Sequence, residues 1–132
     1  MNRMLLRFAA AATALFALGH SMGYTHPRLD GEPGTVAAVM KAVHFDVFGA
    51  QRSYWEMYDG YGFLIILVAG YLAVVLWLLS SEALAAARPL LWATAALQLG
   101  FAVVGFRSFF WAPGALNAVS AVCAAVAASR RR

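Results

Sequence analysis

The chain contains little charge and a single cysteine. Charged side chains make up 12% of its 132 residues, whereas soluble domains carry about 25%. With Cys123 alone, the chain has no intramolecular disulfide and no metal site built on several thiolates. It also has no Gly-rich phosphate loop, GxSxG elbow or CxxC pair, which argues against a nucleotide enzyme or a soluble hydrolase.

Long apolar runs stand where charge is missing. Hydrophobic residues make up 63% of the chain and fall in four blocks, at about 4–22, 61–79, 89–108 and 113–128. About 20 helical residues cross a membrane core about 30 Å thick. The sequence therefore predicts an all-α integral membrane protein. We expect a four-transmembrane-helix bundle that forms one domain over residues 1–132.

The basic residues indicate an orientation for the bundle. With four spans, one side holds Arg3, Arg7, Arg88 and Arg130–Arg132, and the other holds Arg28, Lys41, Arg52 and Arg107. An excess of Arg and Lys marks the cytoplasmic side. We therefore expect both termini in the cytoplasm, in a bacterial cytoplasmic membrane. The alternative is a signal peptide cleaved after Ala17-Leu18-Gly19, but the apolar run continues to Met22 and favours a retained span.

The formal net charge of +4 does not indicate nucleic-acid binding, because much of it sits at the two termini. The partners predicted are membrane lipids and either another protein or a second copy of the chain. No motif identifies a cofactor.

Residues 24–59 form a predicted outer cap between the first two spans. Its first part, Tyr24–Gly34, is rich in Pro and Gly and is typical of a loop. Thr35–Phe48 then predicts an amphipathic helix that rests on the membrane or covers the bundle. The apolar stripe of this helix is Val36, Val39, Met40, Val43 and Val47. We expect helix to resume at Ala50 or Gln51.

Arg52, Glu56 and Asp59 follow one another at steps of four and three, which places them on one face of a helix. Two nearby carboxylates suit acid/base chemistry. In that hypothesis His20 or His44 is the second acid/base group, and Arg52 or Arg107 stabilises an anion. The alternative is an interfacial ion pair without catalysis.

The aromatic residues have a simple explanation. Tyr54, Trp55, Tyr58 and Tyr61 lie at one end of the second span and Trp77 at the other. Such belts are typical of the two membrane surfaces. Tyr58 remains a candidate for contact with a ligand or partner.

The residue types that could hold a metal ion at the outer side are His20, His26 and His44, together with Glu56 and Asp59. Their spacing matches no metal-binding motif, so no metal site is predicted.

Gln98 lies in the middle of the third span, and Asn117 and Ser120 lie in the fourth. Polar side chains at this depth usually hydrogen-bond between helices. The alternative is that Gln98 and Thr94 line a cavity for a lipid-like ligand.

The chain is similar to small four-span families such as the DoxX-like proteins and the EXPERA sterol isomerase and receptor group. The similarity lies in length, topology and the presence of acidic residues at one end of the bundle. No residue motif carries this likeness, so no function follows from it. The residues themselves favour a non-catalytic subunit or accessory factor that binds a partner protein or an amphiphile through its outer cap. The alternative is a small intramembrane enzyme that acts on a lipid, quinone or isoprenoid through Glu56 and Asp59.

Overall fold

A computed structural model describes residues 2–25, 30–81 and 84–130 of the protein. Four long helices confirm the predicted all-α bundle: α1 (Asn2–Thr25), α3 (Tyr54–Leu79), α4 (Leu84–Ser108) and α5 (Trp111–Ser129). All four are long and apolar enough to cross a membrane. The protein is therefore a small multi-pass membrane protein.

The four long helices alternate in direction around α1. This helix packs against both α3 and α5, and α5 packs along α4, whereas α3 and α4 have few contacts with each other. We call the end of the bundle where α3 begins the cap end. The opposite end, where α1 begins and α5 finishes, is the terminal end.

The hydrophobic core lies towards the terminal end and draws on all four long helices. Leu76 of α3 and Leu91 of α4 are fully buried there, beside Leu6 of α1. Most other members are small, which allows the helix backbones to approach closely. They include Ala9, Ala10, Ala87, Ala95, Cys123, Ala124, Ala127 and Ala128.

A short turn at the cap end joins α4 to α5, and there the two backbones nearly touch. A Cβ added to Gly105 would lie 2.7 Å from the backbone nitrogen of Gly114. Pro113 lies in the first turn of α5. Pro89 lies inside α4, which begins at Leu84.

The segment before α3 differs from the predicted helix. Helix α2 covers Glu32–Ala42, and an antiparallel hairpin follows with strands β1 (His44–Val47) and β2 (Ala50–Ser53). The predicted helix Thr35–Phe48 is thus wrong beyond Ala42, and the predicted restart at Ala50 or Gln51 is also wrong. The physical reason is the turn at Phe48-Gly49, where both residues have positive φ and the chain reverses.

Candidate functional site

The hairpin is joined to α3 by a capping box. The Glu56 carboxylate accepts the backbone N–H of Ser53 at 2.6 Å, and the Ser53 hydroxyl accepts the N–H of Glu56 at 3.2 Å. Both bonds satisfy donors that a helix start leaves free. Arg52 lies in β2 and donates to the Gln51 carbonyl at 3.0 Å. The predicted helical face shared by Arg52, Glu56 and Asp59 is therefore wrong for Arg52.

Ser53→Ala is expected to destabilise the start of α3 by about 1 kcal/mol, because it removes the acceptor for the Glu56 N–H. Thermal unfolding in detergent measures this change. Ser53→Thr is the matched control, since it keeps a hydroxyl cap and should retain most of the stability. Equal loss in both variants would contradict a role for the hydroxyl.

A second group of contacts clasps the end of α1 to α3. The Tyr24 phenol is hydrogen-bonded to the Asp59 carboxylate. Its ring covers Gly62 so closely that a Cβ there would lie 2.7 Å from the ring. His20 Nε2 lies 3.3 Å from the Gly62 carbonyl oxygen. His20 and Asp59 therefore share one neighbourhood, and Tyr24 is the member that sequence reasoning missed.

The other predicted site residues are not joined to this clasp by any side-chain hydrogen bond among the described residues. His44 starts β1 and its Nδ1 lies 3.0 Å from the Ala42 carbonyl oxygen. Tyr58 is exposed, with its ring 5.6 Å from that of Trp55. Arg107 is exposed in the last turn of α4. Within the described ranges no ion pair joins it to Glu56 or Asp59.

A metal centre finds no support in the described part of the chain, where no group of three His, Cys, Asp or Glu side chains is placed to hold an ion. His26, one of the histidines considered, lies outside the described residues.

The middle of the bundle holds a buried polar cluster. The Thr13 hydroxyl of α1 lies 2.9 Å from that of Ser120 in α5 and donates to the Ala9 carbonyl at 2.9 Å. Gln98 of α4 donates its Nε2 to the Thr13 oxygen at 2.9 Å. These bonds tie three helices together at one level. Thr94, considered together with Gln98, donates to the Leu90 carbonyl of its own helix.

Two amide oxygens near this cluster have no donor among the described residues: Gln98 Oε1 and Asn117 Oδ1. Gln98 is 0% exposed and Asn117 is 1% exposed. Asn117 uses its Nδ2 on the Pro113 carbonyl at 2.8 Å, so the amide is only half satisfied. An unsatisfied buried acceptor costs about 1–3 kcal/mol.

Gln98→Met is expected to raise the stability of the bundle by about 1 kcal/mol. It removes the unsatisfied oxygen, worth about 1–3 kcal/mol, and sacrifices one hydrogen bond, worth about 0.6 kcal/mol on average in membranes. Unfolding in mixed detergent micelles measures the change, with Leu97→Met at an exposed position of the same helix as control. A clear loss of stability in Gln98→Met alone would contradict the expectation.

The predicted outer cap covered residues 24–59; we call the part of it that is described between α1 and α3, Asp30–Ser53, the cap, and its apolar surface is largely uncovered. Helix α2 packs towards α3 through the buried Ala37 and through Lys41, whose Nζ lies 4.6 Å from the Trp55 ring centre. The predicted stripe faces elsewhere: Val36, Val39 and Val43 are 59%, 57% and 44% exposed. Of the two predicted positions of this stripe, packing over the bundle is therefore wrong, and contact with the membrane surface stays a prediction. Successive residues turn about 100° around a helix axis, so the Ala37 and Val39 faces cannot both meet α3.

The hairpin tip is the most unusual part of the cap. Val47 pairs with Ala50, which leaves Phe48 and Gly49 as a two-residue turn. Their φ angles are 51° and 86°, both positive as in a type I′ turn, which favours Asn-Gly. A non-glycine residue in this region costs roughly 1–2 kcal/mol. Phe48 is nevertheless fully exposed. The Phe48-Gly49 pair between two four-residue segments was the only sequence signal for a hairpin turn, and sequence reasoning missed it.

Comparisons with protein-family models, curated proteins and solved structures found no match. The fold itself defines the class, a small multi-pass membrane protein with four apolar helices.

Proposed function

We propose that this membrane protein is a non-catalytic subunit or accessory factor that binds a partner protein or an amphiphile through its cap. The observation that carries the proposal is the apolar stripe of α2. Val36 and Val39 lie on one side of the helix, Val43 follows as its C-cap residue, and all three are exposed rather than packed on α3. Contiguous exposed apolar side chains are typical of interaction surfaces.

The contacts of the acidic residues also support a non-catalytic function. Glu56 is occupied by the capping box with Ser53, and Asp59 is hydrogen-bonded to Tyr24. His20 lies against the Gly62 carbonyl. Each group thus has a local partner that stabilises the start of α3 or its contact with α1. A general base needs a free path to the proton it removes, and these contacts compete with that role.

Native mass spectrometry of the protein, extracted in gentle detergent at its natural abundance, tests the proposal. We expect the chain to leave the membrane bound to a second protein or to a stoichiometric amphiphile. The bare monomer as the only species would contradict the proposal. Extraction after overproduction is the control, because an excess of chain should appear as free monomer.

A second candidate function, an intramembrane enzyme acting on a lipid, quinone or isoprenoid, is favoured by one observation. The clasp brings the Asp59 carboxylate, the Tyr24 phenol and the His20 imidazole to neighbouring turns of α1 and α3. Carboxylate, phenol and imidazole groups can all transfer protons.

Asp59→Asn separates the two functions. As a subunit, the variant should assemble like the wild type and leave cellular lipids unchanged, because only the clasp is weakened. Lipid mass spectrometry compares cells with the wild-type chain, the variant or no chain. A lipid that accumulates equally in the last two, with assembly intact, would show that the protein is an enzyme. Ser53→Ala is the matched control for weakened structure near α3.

A further inference from the structure

We propose that Phe48 is the anchor of the cap: it inserts into an apolar pocket on a protein partner, and the rim of that pocket is basic. This inference rests on the proposed function and deepens it, because it names the class of partner and the residue that the partner recognises.

Phe48 combines two locally unfavourable features. Phe48 has a φ of 51°, which Asn or Gly adopts more easily. It also exposes its whole aromatic ring to the surroundings of the free chain. Neither feature helps the hairpin fold, and Asn-Gly at positions 48 and 49 would avoid both. Local violations of this kind cluster at functional sites, where a bound partner compensates them.

The rest of the hairpin fixes the backbone on which this ring is carried. The Asp46 carboxylate accepts the Gly49 N–H at 3.0 Å across the turn. At the base, the rings of Phe45 and Tyr54 lie 4.7 Å apart, and Ser53 is fixed by the capping box with Glu56. A turn with a preorganised backbone loses little conformational freedom on binding. Aromatic anchors that fill pockets contribute much of the energy of protein interfaces.

The charge of the cap identifies the type of partner. The cap carries three acids, Asp30, Glu32 and Asp46, and two bases, Lys41 and Arg52, so its formal charge is 2 − 3 = −1, although the whole chain carries +4. Surfaces that bind anionic lipids are rich in Lys and Arg. A second acidic cap would repel the first. A protein with basic residues around an apolar pocket complements both the charge and the ring.

Labelling of an engineered thiol tests the inference. Gln51 is exposed on β2, close to the tip, so Gln51→Cys reports access without removing Phe48. The reagent is a charged maleimide, and the background carries Cys123→Ala. We expect labelling in opened native membranes, at natural abundance, to be at least about tenfold slower than for the purified chain in phosphatidylcholine vesicles, because only the small fraction of chains without a bound partner exposes the thiol.

Variants at the tip make the test specific. Phe48→Asn keeps the turn, because Asn favours this φ, and should abolish the protection. Phe48→Trp should retain the protection from labelling. Salt at about 0.5 M should weaken the protection, because it screens the attraction between the acidic cap and the basic rim. Equal labelling in native membranes and vesicles overturns the inference. So does slow labelling in vesicles, which assigns the tip to lipid or to a second copy. If the native complex of Phe48→Asn has the same mass as that of the wild type, the proposed function stands, and only the inference that Phe48 anchors the partner is overturned.

Discussion

Gly105→Ala is expected to destabilise the α4–α5 pair by about 1–3 kcal/mol, the usual cost of overpacking. A Cβ at this position would lie 2.7 Å from the backbone nitrogen of Gly114 and 2.9 Å from its Cα. Both neighbours are backbone atoms, so no side chain can turn away to relieve the contact. The two helices must separate, and the turn at Phe109 and Phe110 must move with them.

Gly100→Ala is the matched control on the same helix. Nothing lies within 4 Å of the Cβ position at Gly100, so the higher helix propensity of Ala, worth up to about 1 kcal/mol, acts without opposition. Unfolding of both variants in mixed micelles should therefore show opposite changes in stability. Equal behaviour of the two variants would contradict the close approach of α4 and α5.

Val39→Asp is expected to lower the affinity of the cap for its partner by at least about tenfold. Burial of a Val side chain contributes about 1.5 kcal/mol or more, and each 1.4 kcal/mol corresponds to about a tenfold change in affinity. An Asp at the same place also introduces a carboxylate that the contact would have to desolvate. The loss should appear in binding and not in folding, because Val39 is exposed in the free chain.

Ala38→Asp is the control for this change. Ala38 is the neighbouring residue of α2 and is also exposed, but it points away from the stripe of Val36, Val39 and Val43. Both variants carry the same new charge in the same helix. A difference between them therefore reports the face of α2 and not the charge alone.

The bundle could be predicted from the sequence because membrane spans obey a simple length and hydropathy rule. The strongly apolar run of α3 and the proline in the first turn of α5 are local signals. The cap followed no such rule. Its valine stripe has helical spacing, but the hairpin after Ala42 depends on a Phe-Gly turn that contradicts the usual preference for Asn-Gly.

The candidate site could be predicted only in part, because some of its contacts are local in the sequence and others join separate helices. Ser53 and Glu56 have the spacing of a capping box, and this signal alone would have placed the start of α3 at Tyr54. The bond between Tyr24 and Asp59 joins two helices, so no local pattern encodes it. The depth of Gln98 predicted an interhelical hydrogen bond, which it makes with Thr13. The missing donor for the Gln98 Oε1 atom could not be predicted, because it depends on how three helices pack.

The mass of the native complex tests the central claim, that the cap is the binding surface, most directly. Wild-type, Val39→Asp and Ala38→Asp chains are extracted in gentle detergent at natural abundance and weighed by native mass spectrometry. We predict that the wild type and Ala38→Asp carry the same bound partner and that Val39→Asp is the bare monomer. A monomer in all three extracts, or the same complex in Val39→Asp, would contradict the account.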